Sequence, residues 1–313
     1  MQNLFFDPTP NTPYNPLTRQ QTRKTFMQNI GFIGLGIMGT PMALHMLRAG
    51  RNLHFYARRP EVKADFESLG ATYHHSPEEV AKHSEIIIIN VATSNDVEEV
   101  IFGQNGIIHS AKPGTIVIDM GTTSANTTKR IAAQLRNKRI DMLDAPVSGG
   151  EQGAIDATLS IMVGGDAAVV KKAMPIFESL GTRIVHIGDH GAGQIAKACN
   201  QIIIAETIVA VSEALHLAAQ SGVDPAKVRE ALLGGFANSK VLEIHGKRML
   251  ENNYKPGFKA NLHRKDMHLA IEQANTVGAN LPSALHAMQC IDRLVLKGHG
   301  ELDSSAVHLV SED

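Results

Sequence analysis

The chain has 313 residues, enough for two domains that each bury a core. At 43% hydrophobic and 19% charged residues it has an ordinary globular composition. Its 30 Lys and Arg nearly balance 31 Asp and Glu, which excludes a global field recruiting nucleic acid or an acidic membrane, so a partner must be chosen by a local site.

Residues 1–28 are rich in Asn, Pro, Thr and Gln and lack the apolar stretch of a secretory signal. They read as an N-terminal arm, whose basic, acid-poor second half leaves a transit-peptide reading open. From Asn29 to about His186, short β-branched runs (NIGFIG, NLHFYA, EIIIINV, GTIVIDM, RIDMLDA, LSIMVGG, RIVHIG) alternate with helical patterns such as 124–137 and 167–180. That alternation predicts an α/β, Rossmann-type doubly wound parallel sheet. Glycines cluster at 188–191 and the strands stop there. The segment 193–220 has no Pro or interior Gly and is apolar nearly all round, which predicts a long helix buried among others. Helices are also expected over 225–233, 240–251, 265–277 and 282–297. The expected organisation is therefore an arm (1–28), a dinucleotide-binding domain (29–190) and an all-helical substrate and dimerisation domain (191–313).

Cys199 and Cys290 lie far apart in helical segments, giving neither a disulfide framework nor a zinc cluster, and a reducing cytoplasm suits them. No apolar run approaches the roughly 18 residues of a membrane span. The 15 histidines show no metal-ligand spacing, His74 and His75 reading as a strand end, so no metal is expected.

Gly34-Leu35-Gly36-Ile37-Met38-Gly39 is a G-x-G-x-x-G between a predicted strand and helix. There the glycines permit a tight turn, close approach of a pyrophosphate and helix–strand packing, with the phosphates at the positive helix end. About 20 residues on, where an NAD enzyme carries a carboxylate for the ribose hydroxyls, this chain has Ala57-Arg58-Arg59. Guanidinium groups suit a 2′-phosphate, so Arg58, supported by Arg59 or Lys63, points to NADP, with NAD possible if both arginines are solvated surface charges.

Three stretches concern a substrate. In DAPVSGG, the Ser148 hydroxyl and the amides of Gly149 and Gly150 form a candidate anion nest, or a plain turn. Lys197, Asn200 and Gln201 share one face of a helix that is otherwise apolar. Burial there would lower the lysine pKa toward a range useful for proton transfer, unless the ammonium snorkels to solvent. His263-Arg264-Lys265-Asp266 opens a helix, and Lys265 reaches toward cofactor or substrate with Asp266 balancing its charge, or the cluster is solvated surface.

GFIGLGIMG, DAPVSGGEQGA, GAGQIAKACNQ and FKANLHRKDMHLA together make the chain, from about Asn29 to Val310, similar to the β-hydroxyacid dehydrogenase family. Its stretches LSIMVGG, SEALHLA, LLGGFANSKVLEIHGKRM and LDSSA look most like the tartronate semialdehyde reductases within it. The resemblance implies Lys197 as the catalytic lysine and Asn200 as its companion at the substrate. Ser148, Gly149 and Gly150 would hold the substrate carboxylate, Thr122 would contact the nicotinamide side, and Lys265 would close over the cofactor. Val91-Ala92 replaces the family's usual Leu-Pro at the nicotinamide ribose, and Ala57 stands where NADH-using members carry Asp. The implied activity is NADP(H)-dependent hydride transfer to a small semialdehyde acid, most plausibly tartronate semialdehyde to glycerate. Glyoxylate or succinic semialdehyde reduction, 3-hydroxyisobutyrate oxidation and an inactive NADP-binding module are the alternatives. The expected partners are a small carboxylate substrate and a second copy of the chain, as homodimer or homotetramer, with no nucleic acid or membrane.

Overall fold

The computed structural model describes residues 28–310. The arm, apart from Gln28, lies outside the described residues. Strands β1 (Asn29–Ile33), β2 (Asn52–Tyr56), β3 (Thr72–Tyr73), β4 (Ile86–Ile89), β5 (Ile116–Asp119) and β6 (Asp141–Asp144) alternate with helices α1 (Gly39–Arg48), α2 (Pro60–Ser68), α3 (Pro77–His83), α4 (Ser94–Phe102) and α5 (Ala125–Arg136). The strands run parallel in the order β3-β2-β1-β4-β5-β6. Helices cover both faces, which is why β4 is an unbroken, fully buried isoleucine run. Alternate side chains feed two cores: Ile30, Phe32, Ile86 and Ile88 face one layer, Ile33, Ile87, Ile89 and Val117 the other.

Beyond β6 the largely parallel sheet becomes mixed. Strand β7 (Val147–Ser148), helix α6 (Gly150–Ile155), β8 (Leu159–Gly164), α7 (Ala167–Phe177) and β9 (Gly181–Gly188) follow. The LSIMVGG strand, β8, pairs antiparallel with β6 and β7, and β9 runs parallel to β8. Only the six-residue α6 lies between β7 and β8, too little chain for the crossover that a parallel neighbour requires.

Helices alone remain: α8 (Ala192–Gln220), α9 (Pro225–Leu233), α10 (Lys240–Leu250), α11 (Ala260–Val277) and α12 (Pro282–Leu294), then a short π turn and a 3-10 segment. Their core joins Ala205, Ile208, Leu215, Leu242, Met249, Met267 and Ile291. Within one chain α8 is buried over part of its circumference: α10, α11 and α12 pack on it, while Ile203 is 65% and Leu217 67% exposed. The apolar-run reading undercounts α8, which by length and composition passes as a membrane-crossing helix. Its first turns are instead tied to the sheet.

Candidate active site

The strand order reverses between β1 and β4, and the loops leaving β1, β4 and β5 converge there, the usual ligand crevice of such a sheet. Gly34 takes a φ of 102°, and a Cβ on it would collide with the Asn90 carbonyl after β4. A side chain at Gly36 would project into open space, and one at Gly39 would strike the Gly34 carbonyl. Met38 caps α1 without a side-chain bond and the first turn carries no carboxylate, so the helix amides are left for an anion. Ile37 is exposed and Met38 half-buried beside them. This cradle fits the pyrophosphate of a nicotinamide dinucleotide.

After β2, Arg59 donates from Nη2 to the Leu35 carbonyl at 2.7 Å, which fastens it over the glycine loop. Arg58 is exposed next to it. Lys63 is turned elsewhere, its Nζ 4.2 Å from the centre of the Tyr73 ring. Val91 is half-buried and Ala92 exposed at the end of β4, and a Cβ on Gly121 would lie 2.7 Å from the Val91 carbonyl oxygen. The β4 and β5 loops therefore touch.

The helical half docks through buried carboxylates at strand ends. Asp144, closing β6, accepts from the amides of Gly191 (2.8 Å) and Gln194 (3.0 Å) at the start of α8, where the helix end favours a negative charge. Burial still pushes its carboxyl above the usual range. With α8 anchored there, Lys197 comes one turn later against β7 and donates from Nζ to the Val147 carbonyl at 2.8 Å. At 8% exposure it does not snorkel, and burial lowers its pKa, with Asp266 opposing and Lys265 adding to the shift. Next to Val147, Ser148 ends β7, and Gly149 and Gly150, both exposed with positive φ, lead into α6. Asn200 donates to the Gln201 side chain at 2.7 Å, and Gln201 donates to Asp266 at 2.7 Å.

Lys265 donates to the Thr122 carbonyl at 2.6 Å and pairs with Asp266 at 2.9 Å. The stretch 263–266 is thus no solvated surface cluster: His263 and Asp266 are buried. They stand past the first turn of α11, which begins at Ala260 rather than Lys265, and burial lowers the His263 pKa to about 4. Lys197, the 148–150 turn, Thr122, Asn200 and Lys265 are held by one set of contacts, while Arg58 and Arg59 belong to the glycine-loop end.

Several residues of this arrangement were not singled out from sequence. Gln194 donates to the Gly121 carbonyl and accepts from the Thr123 amide, both at 3.0 Å. Asp119 accepts from the Gly121 amide and the Thr123 hydroxyl, both at 2.9 Å, and burial pushes its pKa up to about 7. Their only signal in sequence is position, a carboxylate ending an apolar strand and an amide one turn before Lys197. Away from the crevice, His74 is not a bare strand end: its ring stacks on His83 and shares a 3.0 Å hydrogen bond with His54.

The comparisons agree with this geometry. Residues 29–188 match the family described as the NAD binding domain of 6-phosphogluconate dehydrogenase, and residues 191–310 match the NAD-binding domain of NADP-dependent 3-hydroxyisobutyrate dehydrogenase. The chain is 47% identical to the 2-hydroxy-3-oxopropionate reductase of Escherichia coli, over 89% of this chain and 95% of that one. It is 34% identical to an NAD-dependent L-serine dehydrogenase of Pseudomonas aeruginosa, over 90% and 97% of the two chains. Its structure matches Mycobacterium tuberculosis 3-hydroxyisobutyrate dehydrogenase with L-serine at a TM-score of 0.84 and 30% identity, covering 92% of this chain and all of the other. A glycine loop shaped for a dinucleotide, a lysine buried beside a Ser-Gly-Gly turn and both family matches lead to one assignment: the chain is an oxidoreductase of the 3-hydroxyisobutyrate dehydrogenase family, an NAD(P)-dependent hydroxyacid dehydrogenase.

Proposed function

We propose that the enzyme reduces a short semialdehyde acid with NADPH, tartronate semialdehyde to glycerate being the pair that suits it best. The observation that carries this reading is Lys197, nearly excluded from water, with its ammonium 2.8 Å from the Val147 carbonyl beside the 148–150 turn. The Ser148 hydroxyl and the amides of Gly149 and Gly150 hold the substrate carboxylate, which brings the aldehyde within reach of Lys197. The nicotinamide cofactor, when bound, supplies the hydride. Lys197 gives one proton to the aldehyde oxygen, so the carbonyl gains two electrons and two hydrogens and becomes a primary alcohol. Asn200 completes the polar side of the site, and Thr122 lines its nicotinamide side with Lys265.

The cofactor preference rests on Arg58, free of any neighbouring carboxylate before Glu61 in sequence and placed next to the fastened Arg59. The working unit is a homodimer or homotetramer, supported by the uncovered apolar side of α8. Initial rates of tartronate semialdehyde reduction with NADPH and NADH side by side test the reading. Faster turnover at lower cofactor concentration with NADPH is the expected result. Preference for NADH overturns the role of Arg58, and turnover of glyoxylate or succinic semialdehyde alone overturns the substrate. The relatives named for L-serine favour one second substrate, a 3-hydroxy acid bearing an α-amino group, read by serine oxidation in the same assay.

A further inference from the structure

The β5–α5 turn is gripped by the helical half of the molecule at successive backbone groups. One amide side chain, Gln194, spans it, its Nε2 donating to the Gly121 carbonyl and its Oε1 accepting from the Thr123 amide, each at 3.0 Å. Lys265 of α11 takes the carbonyl between them, Thr122 O, at 2.6 Å. Asp119 holds the same turn from the sheet side through Gly121 N and Thr123 Oγ1. Gln194 is 3% exposed and its own backbone amide is held by Asp144. The far side of the turn is set against the Val91 loop, since a Cβ on Gly121 would lie 2.7 Å from the Val91 carbonyl. A small cleft lined by Thr122, Thr123, Gln194 and Asp266 adjoins the turn.

We propose that Gln194 is a positioning residue for hydride transfer: its amide pins the Thr122 turn against the Val91 loop and so fixes where the nicotinamide meets the substrate. The inference rests on the proposed function above. The task needs one donor and one acceptor a fixed distance apart, which a primary amide supplies and a methionine of similar length does not. Losing both bonds leaves a buried N–H and a buried carbonyl without partners, and the turn relieves that by shifting from its present place. Even a small displacement there acts on the reacting distance, where rates are most sensitive. Most of the binding of either partner relies on other groups, the glycine loop for the cofactor's phosphates and the 148–150 turn for the carboxylate.

The test compares Gln194→Met and Gln194→Glu in the full chain. In Gln194→Met, kcat falls about tenfold or more, KM for the semialdehyde and Kd for NADPH stay within about threefold, and amide hydrogen exchange across 120–128 accelerates in the cofactor-free protein. In Gln194→Glu, the new carboxyl sits close to Asp119 and Asp144 and is protonated readily. Once protonated it has an O–H for Gly121 O and a carbonyl for Thr123 N, so kcat recovers toward wild type as the pH is lowered, while the Met variant does not recover. A Met variant with wild-type kcat, or one that loses cofactor binding instead, overturns the proposal. Unchanged exchange across 120–128 overturns the grip itself, whether or not any substrate is turned over. Absence of semialdehyde turnover by the wild type counts against the proposed function and leaves the exchange comparison to decide the grip.

Discussion

Lys197 and Asp119 show how burial sets the chemistry of single side chains. Among the described residues the Lys197 ammonium makes one hydrogen bond, to Val147 O, at a buried position. Burial lowers its pKa, and Lys265 adds to the effect while Asp266 opposes it. In the proposed mechanism reduction uses the protonated Lys197, so reductive kcat should decline with rising pH earlier than an ordinary lysine would dictate. Lys197→Met should lower kcat by about 10²-fold or more with NADPH affinity, measured by fluorescence titration, little changed. Asp119 is shifted the other way, to about 7, chiefly by burial, against the Gly121 and Thr123 hydrogen bonds. A carboxyl with a raised folded pKa keeps its proton in the folded state where the unfolded chain has lost it. Its contribution to stability therefore falls as the pH rises from the unfolded value near 4 to about 7, and the loss is complete above that. Asp119→Asn should flatten that part of the stability–pH curve, read as Tm of the cofactor-free protein at a series of pH values.

The start of α11 depends on one carboxylate from the far end of the chain. Asp303 is fully buried and accepts from the amides of Gly257 and Phe258 and from the Ser305 hydroxyl, and it pairs with Arg248 at 2.9 Å. Against burial, the hydrogen bonds from His245, Ser305 and the Phe258 amide, with the charge of His245, hold its carboxyl well below the usual range. Its stabilising effect is complete above the unfolded pKa and disappears as the pH falls through the lower folded one. Asp303→Asn should cost about 3 kcal/mol at neutral pH, the scale of a buried pair broken from one side, and the difference from wild type should shrink in acid. Urea midpoints at two pH values check both parts. None of the links that Asp303 makes could be read from LDSSA alone. What sequence does disclose is local: the β-branched runs marked β1, β2, β4, β5, β6, β8 and β9, and the glycine loop, Lys197 and Lys265 each lie inside a recognisable stretch. The two-residue strands β3 and β7 are too short for any periodicity to mark them. Gln194 with Gly121, and Asp144 with Gly191, join positions distant in sequence and become visible only when α8 is docked on the sheet. Helix α12 was expected to reach 297 but ends at Leu294, where a π turn containing Gly298 at a φ of 87° takes over.

Across the whole molecule, α8 is the shaft joining the two halves, with its first turns in the candidate site and its later turns carrying apolar side chains to the surface. Ile203 and Leu217 are 65% and 67% exposed, and Phe236, in the Gly-Gly-Phe turn after α9, is fully exposed. Apolar groups of this size favour burial by about 1.5 kcal/mol each or more. In a two-fold interface each is counted twice, because the same patch lies on both partners. Placing charges at both helix positions, Ile203→Glu with Leu217→Glu, should therefore weaken self-association by several powers of ten in Kd. The mass from light scattering at micromolar protein should fall from that of the oligomer to that of one 33.8 kDa chain. Because Lys197 and Asn200 lie on the same helix, the proposed dimer along α8 would also steady the site, so kcat should drop on dissociation and recover at higher protein concentration in the single Leu217→Glu variant. A wild-type chain that is monomeric at the same concentration, or a double variant that keeps the oligomer mass, would place the contact elsewhere and leave the exposed side of α8 without that role.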